Sequence, residues 1–279
     1  TSSTYATDVN NLLDKTKGHL QFTTCEEQEG KRFLKSVGLK DHDKFVCLIV
    51  RDSAYHENLY GKKMFDYHSY RNCDVNNFVK ACNFLTSKGL YIFRMGKYVN
   101  SRFNIDNDKV IDYASNGMRN DFLDIYLGSK CLFWISTNTG IDGLSQIFRI
   151  PALFVNQVPL ATTRTTHSNS ILILKHLYDK SKKKKINIKE IIKKKLEFSL
   201  RTEEFEKKNI VTLENTQDEI CDAAEELYEM ICEKKDFLKK NENLQKEFWK
   251  LFPYNKNLHG EIKTIISPSF LKNNLYLLE

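Results

Sequence analysis

Polar residues follow several apolar runs of the sequence, at the points where buried strands would end. Arg51 and Asp52 follow one run, and Arg94 and Gly96 follow the next. A third run is followed by the polar loop Ser136, Thr137, Asn138, Thr139 and Gly140. Because the carboxyl ends of parallel strands meet at one edge of a sheet, where ligands bind, we expect these groups to face one ligand. Arginine makes paired hydrogen bonds to phosphate, so the predicted ligand carries phosphate.

The loop 136–140 is predicted to lie between a strand and a helix that spans residues 141–148. The first amides of a helix have no partner within the helix, and the helix dipole favours anions beside them. Gly140 would let the backbone approach an anion closely and would open the helix. The pattern therefore predicts that this loop binds the phosphate groups of the ligand.

Tyr70, Arg71 and Asn72 bring an aromatic ring, a cation and an amide together in a predicted loop. Tyr70 and Arg71 could stack on a base or contact a sugar hydroxyl. The alternative is a plain turn held by the side chain of Asn72. These residues alone leave both interpretations open.

Two acidic residues, Asp121 and Asp124, lie with Arg119 near a predicted helix start. Acidic side chains are favoured in a first helical turn by the helix dipole alone. Asp121 also fits the position that caps the helix. A structural role and a functional role are therefore both open for this group.

The elements that would position these residues alternate between strand and helix. Apolar runs at 45–50, 90–93 and 131–135 are typical of strands buried on both faces of a parallel sheet. Helical patterns at 76–87 and 121–127 separate them. This alternation predicts an α/β fold with a Rossmann-like parallel sheet and helices on both faces. Beyond residue 160 we predict a helical C-terminal extension.

The positive charge of the chain is concentrated in one segment. The 279 residues carry a formal charge of +7, and much of the lysine lies between residues 180 and 195. The global charge is therefore no argument for nucleic acid, and we predict no nucleic-acid partner. A solvated helix face is the first interpretation of the lysine run, and weak contact with anionic lipid at a membrane surface is the second.

Familiar catalytic and metal-binding spacings are missing from the sequence. The seven cysteines form no CxxC pair, which favours a reducing compartment and a cytoplasmic location. The histidines show no HxH or HExxH spacing, so we predict no metal site. GxSxG, Walker A and GxGxxG patterns are also missing. No apolar run approaches the length that spans a bilayer.

An ordered set of segments in this chain is similar to those of a known family: FVCLIVRDSAY, YHSYRN, GLYIFRMG, DYAS, RNDFLDIYLGSKCLFWISTNTG and IPALFVNQVPL. Through these segments the chain resembles a family of bacterial glycosyltransferases associated with surface polysaccharides. The resemblance covers about residues 22–160 and continues more weakly through residues 215–227 to ISPSFL near the C-terminus. The strand end Val50-Arg51-Asp52 is also similar to a strand of fucosyltransferases, whose arginine contacts the donor diphosphate.

The resemblance implies the two-domain GT-B type, whose C-terminal Rossmann-like half binds a nucleotide-sugar. Residues 45–160 would form this donor-binding domain, and residues 161–279 the helical extension. Residues 1–44 would be a lead-in or the remnant of an acceptor domain. Arg51 would contact the donor diphosphate above the loop 136–140. Ile49 stands where relatives often carry histidine.

Glycosyl transfer of this type would need no cofactor besides the nucleotide-sugar, which is the substrate. The sequence offers no DxD motif for a metal, so arginines and backbone amides would stabilise the leaving diphosphate. The acceptor would be a glycan or a lipid-linked sugar. Asp52, and after it Asp121, are the candidates for the base that takes the acceptor proton.

Two other functions stay open at this point. A nucleotide-sugar epimerase on a similar fold would release free nucleotide and an altered sugar in the absence of an acceptor. A non-catalytic protein that binds carbohydrate or another partner would show no transfer at all.

Overall fold

The computed structural model describes residues 8–61, 64–236 and 238–279. Its strands are β1 Phe45–Ile49, β2 Tyr91–Met95, β3 Val110–Ile111, β4 Trp134–Ser136, β5 Ala152–Gln157, β6 Ser170–Leu174, β7 His176–Asp179, β8 Lys184–Lys185, β9 Ile210–Leu213 and β10 Ile265–Ile266. Its α-helices are α1 Leu12–Lys15, α2 Thr24–Ser36, α3 Ala54–Tyr60, α4 Val79–Ser87, α5 Asp121–Lys130, α6 Gly143–Ile147, α7 Ile188–Lys193, α8 Thr202–Glu206, α9 Gln217–Cys232, α10 Leu238–Leu251 and α11 Pro268–Asn273. Short 3₁₀ helices span Asp66–Arg71, Val75–Phe78, Leu160–Thr162 and Leu275–Leu278.

The central sheet has seven strands in the order β3-β2-β1-β4-β5-β6-β10, and every neighbouring pair is parallel. From β1 the chain moves outward to β2 and β3. It then returns to the other side of β1 and continues outward from β4 to β10. The direction reverses between β1 and β4, and the crevice beside such a reversal is where open α/β sheets bind ligands.

The sheet is buried between two groups of helices. All residues of β1, β5 and β6 are buried, which is typical of strands covered on both faces of a parallel sheet. In one group α9 packs on α4 and on β5 and β6, and in the other α5 packs on α2 and α6. The predicted α/β class with a Rossmann-like parallel sheet flanked by helices is confirmed.

The segment after residue 160 differs from the predicted helical extension. It contributes β6 and β10 to the central sheet, so the sheet crosses the predicted domain boundary. Strands β7, β8 and β9 form a second, antiparallel sheet in the order β8-β7-β9. The apolar run 171–174 is as long as the run at 90–93, but no α-helix separates β6 from β5, so the strand–helix alternation that indicates the earlier strands is missing there. β8 and β10 have only two residues each, which is too short for a periodic signal.

Candidate functional site

A cavity of about 890 Å³ opens at the carboxyl edge of the central sheet. Residues that follow β1, β2, β4 and β5 form its wall, so it lies beside the reversal between β1 and β4. The predicted site residues that line it are Arg51, Asp52, Tyr70, Arg71, Gly96, Asp121, Asn138, Thr139 and Gly140. The lining does not include Arg94, Ser136 or Thr137.

Arg51 and Arg71 meet at the reversal of the sheet. Arg71 Nη2 donates to the carbonyl oxygen of Asn138 at 2.5 Å. The backbone N–H of Arg51 donates to Thr137 Oγ1 at 2.7 Å, and the Arg51 carbonyl accepts from the N–H of Cys73 at 2.9 Å. The segment after β1, the segment carrying Arg71 and the loop after β4 are thus joined by hydrogen bonds.

Neither of these two arginines forms an ion pair with a carboxylate in the described part of the chain. Among the described residues, the arginines that form ion pairs are Arg94, Arg119, Arg164 and Arg201. Burial and then repulsion from Arg71 lower the pKa of Arg51 to about 10. The Arg51 Nε atom is buried and has no hydrogen-bond partner within the described part of the chain. A partly buried positive charge without an ion-pair partner favours an anionic ligand.

Two histidines beside the arginines report the same excess of positive charge. Burial and then the charges of Arg51 and Arg71 lower the pKa of His68 to about 4. The same causes, in the same order, lower the pKa of His56. Both imidazoles line the cavity, and both are expected to be neutral near pH 7. An anion bound between the arginines would favour their protonation.

The loop after β4 folds around a carboxylate of its own. Asp142 is fully buried, and its Oδ2 accepts from Ser136 Oγ at 2.5 Å and from the N–H of Thr139 at 2.8 Å. Its Oδ1 lies 2.7 Å from Arg164 Nη1. Ser136 and Thr137 are buried, which keeps them away from a ligand. Asp142 therefore occupies part of the position in the loop 136–140 where phosphate was predicted to bind.

The helix start itself also differs from the prediction. α6 begins at Gly143 and has five residues, so Gly140 does not open it. A side chain at Gly140 would meet no other atom within 4 Å, and the left-handed residue of the loop is Asn138, with φ of +58°. Asparagine is among the residues that adopt this conformation most readily. What the loop offers the cavity is the side chains of Asn138 and Thr139.

Arg94 does not belong to the cavity. β2 extends through Met95, so Arg94 is an internal strand residue, and it is 1% exposed. Its Nη1 donates to Asp112 Oδ1 at 3.0 Å and to the Ser101 carbonyl at 2.9 Å. The assignment of Arg94 to the donor site is therefore corrected to a structural role, because its ion pair with Asp112 is made inside the protein.

The two candidate bases have different surroundings. Both carboxylate oxygens of Asp52 accept backbone N–H groups, one from Ala54 at 2.9 Å and one from Asn100 at 2.8 Å. Asp121 is exposed at the rim and pairs with Arg119 at 2.5 Å, which lowers the pKa of its carboxyl group. Asn120, and not Asp121, caps α5, because its side chain accepts from the third amide of the helix.

The far wall of the cavity comes from residues 157–166, which the sequence did not single out as a site. Gln157 is 3% exposed, and its Nε2 donates to the Pro159 carbonyl at 3.0 Å and to Thr162 Oγ1 at 3.2 Å. Its Oε1 has no protein partner within the described ranges. Arg164 and His259 also line this wall. The wall is polar and suits the hydroxyl or amide groups of a ligand.

Several lining residues share a feature that favours a polar ligand. Each has a buried polar atom without a hydrogen-bond partner in the described residues: Arg51 Nε, His56 Nδ1, Asn138 Nδ2, Thr139 Oγ1 and Gln157 Oε1. Buried polar atoms are nearly always paired in folded proteins, so a concentration of exceptions in one cavity favours a polar ligand.

The sequence could have indicated some of the residues that were missed. His68 lies within the segment YHSYRN, two residues before Tyr70, and Arg164 lies within a Thr/Ser-rich loop. Only the fold shows that His56, from α3, and Gln157, from β5, meet them. Such a meeting depends on strand order, which local sequence does not encode.

No group of three or more His, Cys, Asp or Glu side chains within the described ranges could hold a metal ion. In the same ranges no helix combines the length and the apolar character needed to cross a bilayer. Comparisons of the chain with protein-family models, with curated proteins and with solved structures found no match.

Proposed function

We propose that the protein is a glycosyltransferase that takes a sugar from a nucleotide-sugar and passes it to a glycan or lipid-linked acceptor. One observation carries the proposal: Arg51 and Arg71 line a cavity at the reversal of the sheet without a carboxylate partner among the described residues. The volume of this cavity, about 890 Å³, lies within the usual range for ligand pockets. A diphosphate between two arginine forks would satisfy both charges at once.

The chemistry divides between the two ends of the cavity. As the bond from the anomeric carbon to the donor phosphate breaks, its electron pair moves to the phosphate oxygen. Arg51 and Arg71 would stabilise the charge that develops there, without a requirement for a metal. The nucleoside or sugar would contact the polar wall around Gln157 and Thr162. The acceptor oxygen would bond to the anomeric carbon and release its proton to a carboxylate.

Asp121 is the carboxylate that we assign to this proton. Asp52 has both oxygens occupied by backbone N–H groups, whereas Asp121 is exposed at the cavity rim. Asp52 would then hold the start of α3 and, with it, His56 at the donor end. Asp121→Asn is expected to retain donor binding and to lose transfer.

Nucleotide binding tests the donor site directly. Isothermal titration with GDP, UDP and CMP should show binding of at least one nucleotide. Arg51→Ala should weaken that binding by about a hundredfold or more, because a charge-assisted pair of hydrogen bonds to phosphate is lost. Arg51→Lys should recover only part of it, since lysine keeps the charge and lacks the fork.

Arg32→Ala is the matched control, because Arg32 is an exposed arginine on α2. Its variant should bind nucleotide as the wild type does. Absence of binding by all three nucleotides, or equal effects of the two alanine variants, would contradict the donor site.

Product analysis separates transfer from the other activities. With the nucleotide-sugar that binds and a mixture of glycan acceptors, a glycosyltransferase forms a glycosylated acceptor and free nucleoside diphosphate, also in EDTA. If free nucleotide and an altered sugar form in the absence of an acceptor, the protein is instead an epimerase. Nucleotide binding without formation of any product would indicate a non-catalytic binding protein.

A further inference from the structure

One segment accounts for the entire net positive charge of the protein. Residues 180–195, called the basic face below, contain nine lysines and one glutamate, which is a formal charge of +8. The whole chain carries +7, so all other residues together carry −1. A charge placed so unevenly calls for a local explanation, because solubility would be served equally well by lysines spread over the surface.

The basic face is a folded surface. It comprises the end of the β7–β8 hairpin and helix α7. Lys182 Nζ and Lys184 Nζ lie 2.9 Å and 3.5 Å from the same oxygen of Glu190, so the hairpin is fixed against the helix. The lysines that this leaves exposed on the face are Lys180, Lys183, Lys189, Lys193 and Lys195.

Exposed apolar residues connect this face to the cavity. Phe198 and Leu200 are 40% and 37% exposed, and Leu200 lines the cavity. The carbonyl of Glu197 accepts from the N–H of Ala161, which is also a lining residue, at 2.9 Å. Lys195 is five residues from Leu200, a distance of at most about 17 Å along the chain. We call Phe198 and Leu200 the apolar lip.

We propose that the basic face and the apolar lip dock together on the surface of an anionic lipid bilayer. Clustered lysines are attracted by anionic headgroups, and exposed apolar side chains beside them can enter the interface. Lysine predominates here, and the arginine forks that suit phosphates of nucleic acid are missing from residues 180–195. The apolar lip would have no role on a nucleic acid backbone.

Docking in this orientation brings the mouth of the cavity to the membrane. The acceptor would then be a sugar carried by a lipid, a conclusion that also rests on the proposed glycosyl transfer. Membrane docking itself does not depend on that activity, so the two can be tested apart.

Vesicle flotation tests the docking. The protein should float with vesicles of phosphatidylcholine mixed with phosphatidylglycerol and should stay behind with vesicles of phosphatidylcholine alone. Raising the salt concentration should release it, because screening weakens the attraction between the lysines and the headgroups.

Two matched sets of substitutions locate the surface. Replacing Lys180, Lys183, Lys189 and Lys193 by glutamine should lower the partition coefficient by on the order of a hundredfold or more. The control replaces Lys31, Lys40, Lys256 and Lys272 by glutamine, which removes the same charge from exposed positions elsewhere. Phe198→Ser should lower binding to anionic vesicles with the lysines intact. Nucleotide titration should give the same affinity for every variant.

The proposal is overturned if the protein does not bind to anionic vesicles, or if the two sets of lysine substitutions lower the binding equally. It is also overturned if a single-stranded RNA competes fully for the basic face at equal phosphate concentration. Loss of nucleotide binding by the wild type would instead contradict the donor site and leave the membrane result standing.

Discussion

The charges of Arg51 and Arg71 repel each other, and both charges lower the pKa values of the two histidines beside them. The lowered pKa of His68, about 4, follows from burial and from the two arginine charges. A site of this kind stabilises a ligand at some cost to the stability of the free protein, as is common for functional sites. The pKa of His68 should therefore change when a diphosphate binds to the two arginines.

We predict that binding of a nucleotide-sugar takes up a proton at His68. The bound diphosphate offsets the two arginine charges, so the pKa of His68 rises on binding and the affinity increases as the pH falls from 7 towards 5. The expected gain is several-fold to about tenfold. Titration calorimetry in buffers of different ionisation enthalpy measures the proton directly, because an esterified diphosphate does not titrate in this range.

His68→Asn should remove most of this pH dependence, whereas His19→Asn, at an exposed position, should leave it unchanged. An unaltered pH dependence in His68→Asn would show that another group takes up the proton. His56 is then the first alternative, because the same arginines lower its pKa.

The elements around the cavity differ in how far the sequence could predict them. The strands at 45–49, 91–95 and 134–136 lie within or beside the predicted runs, because residues buried on both faces leave a continuous apolar signal. β6 was not predicted, because a 3₁₀ helix and a loop, and not an α-helix, connect it to β5 and interrupt the strand–helix alternation, and β10 has only two residues. The site depends on both kinds of element, which is why its far wall was missed.

The positions of single arginines were predictable only in part. Arg51 and Arg94 both stand near the ends of apolar runs, yet Arg51 lines the cavity and Arg94 is paired with Asp112 in the interior. The difference lies in β2 continuing through Met95 and in a carboxylate 18 residues away in the sequence. Local sequence identifies the residue type at an edge of the sheet, whereas tertiary contacts decide where the side chain points.

Lys175 shows how one element supports another. It follows β6, is 6% exposed, and donates through Nζ to the carbonyl oxygens of Tyr70 at 3.0 Å and Asn72 at 2.7 Å. These two residues flank Arg71. A buried ammonium from the strand at one side of the cavity thus positions a side chain at the donor end, so we regard Lys175 as a positioning residue.

Lys175→Met is expected to weaken nucleotide binding by roughly tenfold, since a small misplacement of Arg71 is enough to spoil its contact with phosphate. The fold should persist, because methionine fills the same space and Thr212 Oγ1 also donates to the Tyr70 carbonyl. Titration calorimetry and circular dichroism give the two readouts. Lys272→Met, on an exposed turn of α11, serves as the comparison. If Lys175→Met binds nucleotide with the wild-type affinity, Lys175 is not a positioning residue.

At the scale of the whole molecule, Glu219 joins two distant parts of the chain to helix α9. On α9 its carboxylate accepts from His176 Nε2 at 2.9 Å, from Asn274 Nδ2 at 2.9 Å and from the N–H of Thr216 at 2.9 Å. Burial alone would raise the pKa of Glu219, but these hydrogen bonds outweigh it and lower the pKa to about 2. The second sheet and the C-terminal helices are thereby tied to α9.

Because the pKa of Glu219 is lower in the folded chain than the ordinary value of 4.5, its stabilisation is complete above about pH 4.5 and is lost as the pH falls towards 2. Glu219→Gln should lower the free energy of unfolding at pH 7 by roughly 2 to 3 kcal/mol. Urea unfolding at pH 7 and at about pH 3.5 should show a smaller difference at the lower pH. Glu247→Gln, on the exposed side of α10, should change stability by less than about 0.5 kcal/mol. A pH-independent difference would contradict the linkage.

The placement of charge described for residues 180–195 makes the molecule a strong electric dipole. A face of +8 on a body of −1 experiences a torque in the field above a negatively charged surface. That field extends for about one Debye length, roughly 8 Å in physiological salt, so rotation begins before any side chain touches a headgroup. The protein would therefore reach the membrane already oriented, with the mouth of the cavity facing the surface. Added salt would then lower the rate of productive encounters more than it would shorten their lifetime.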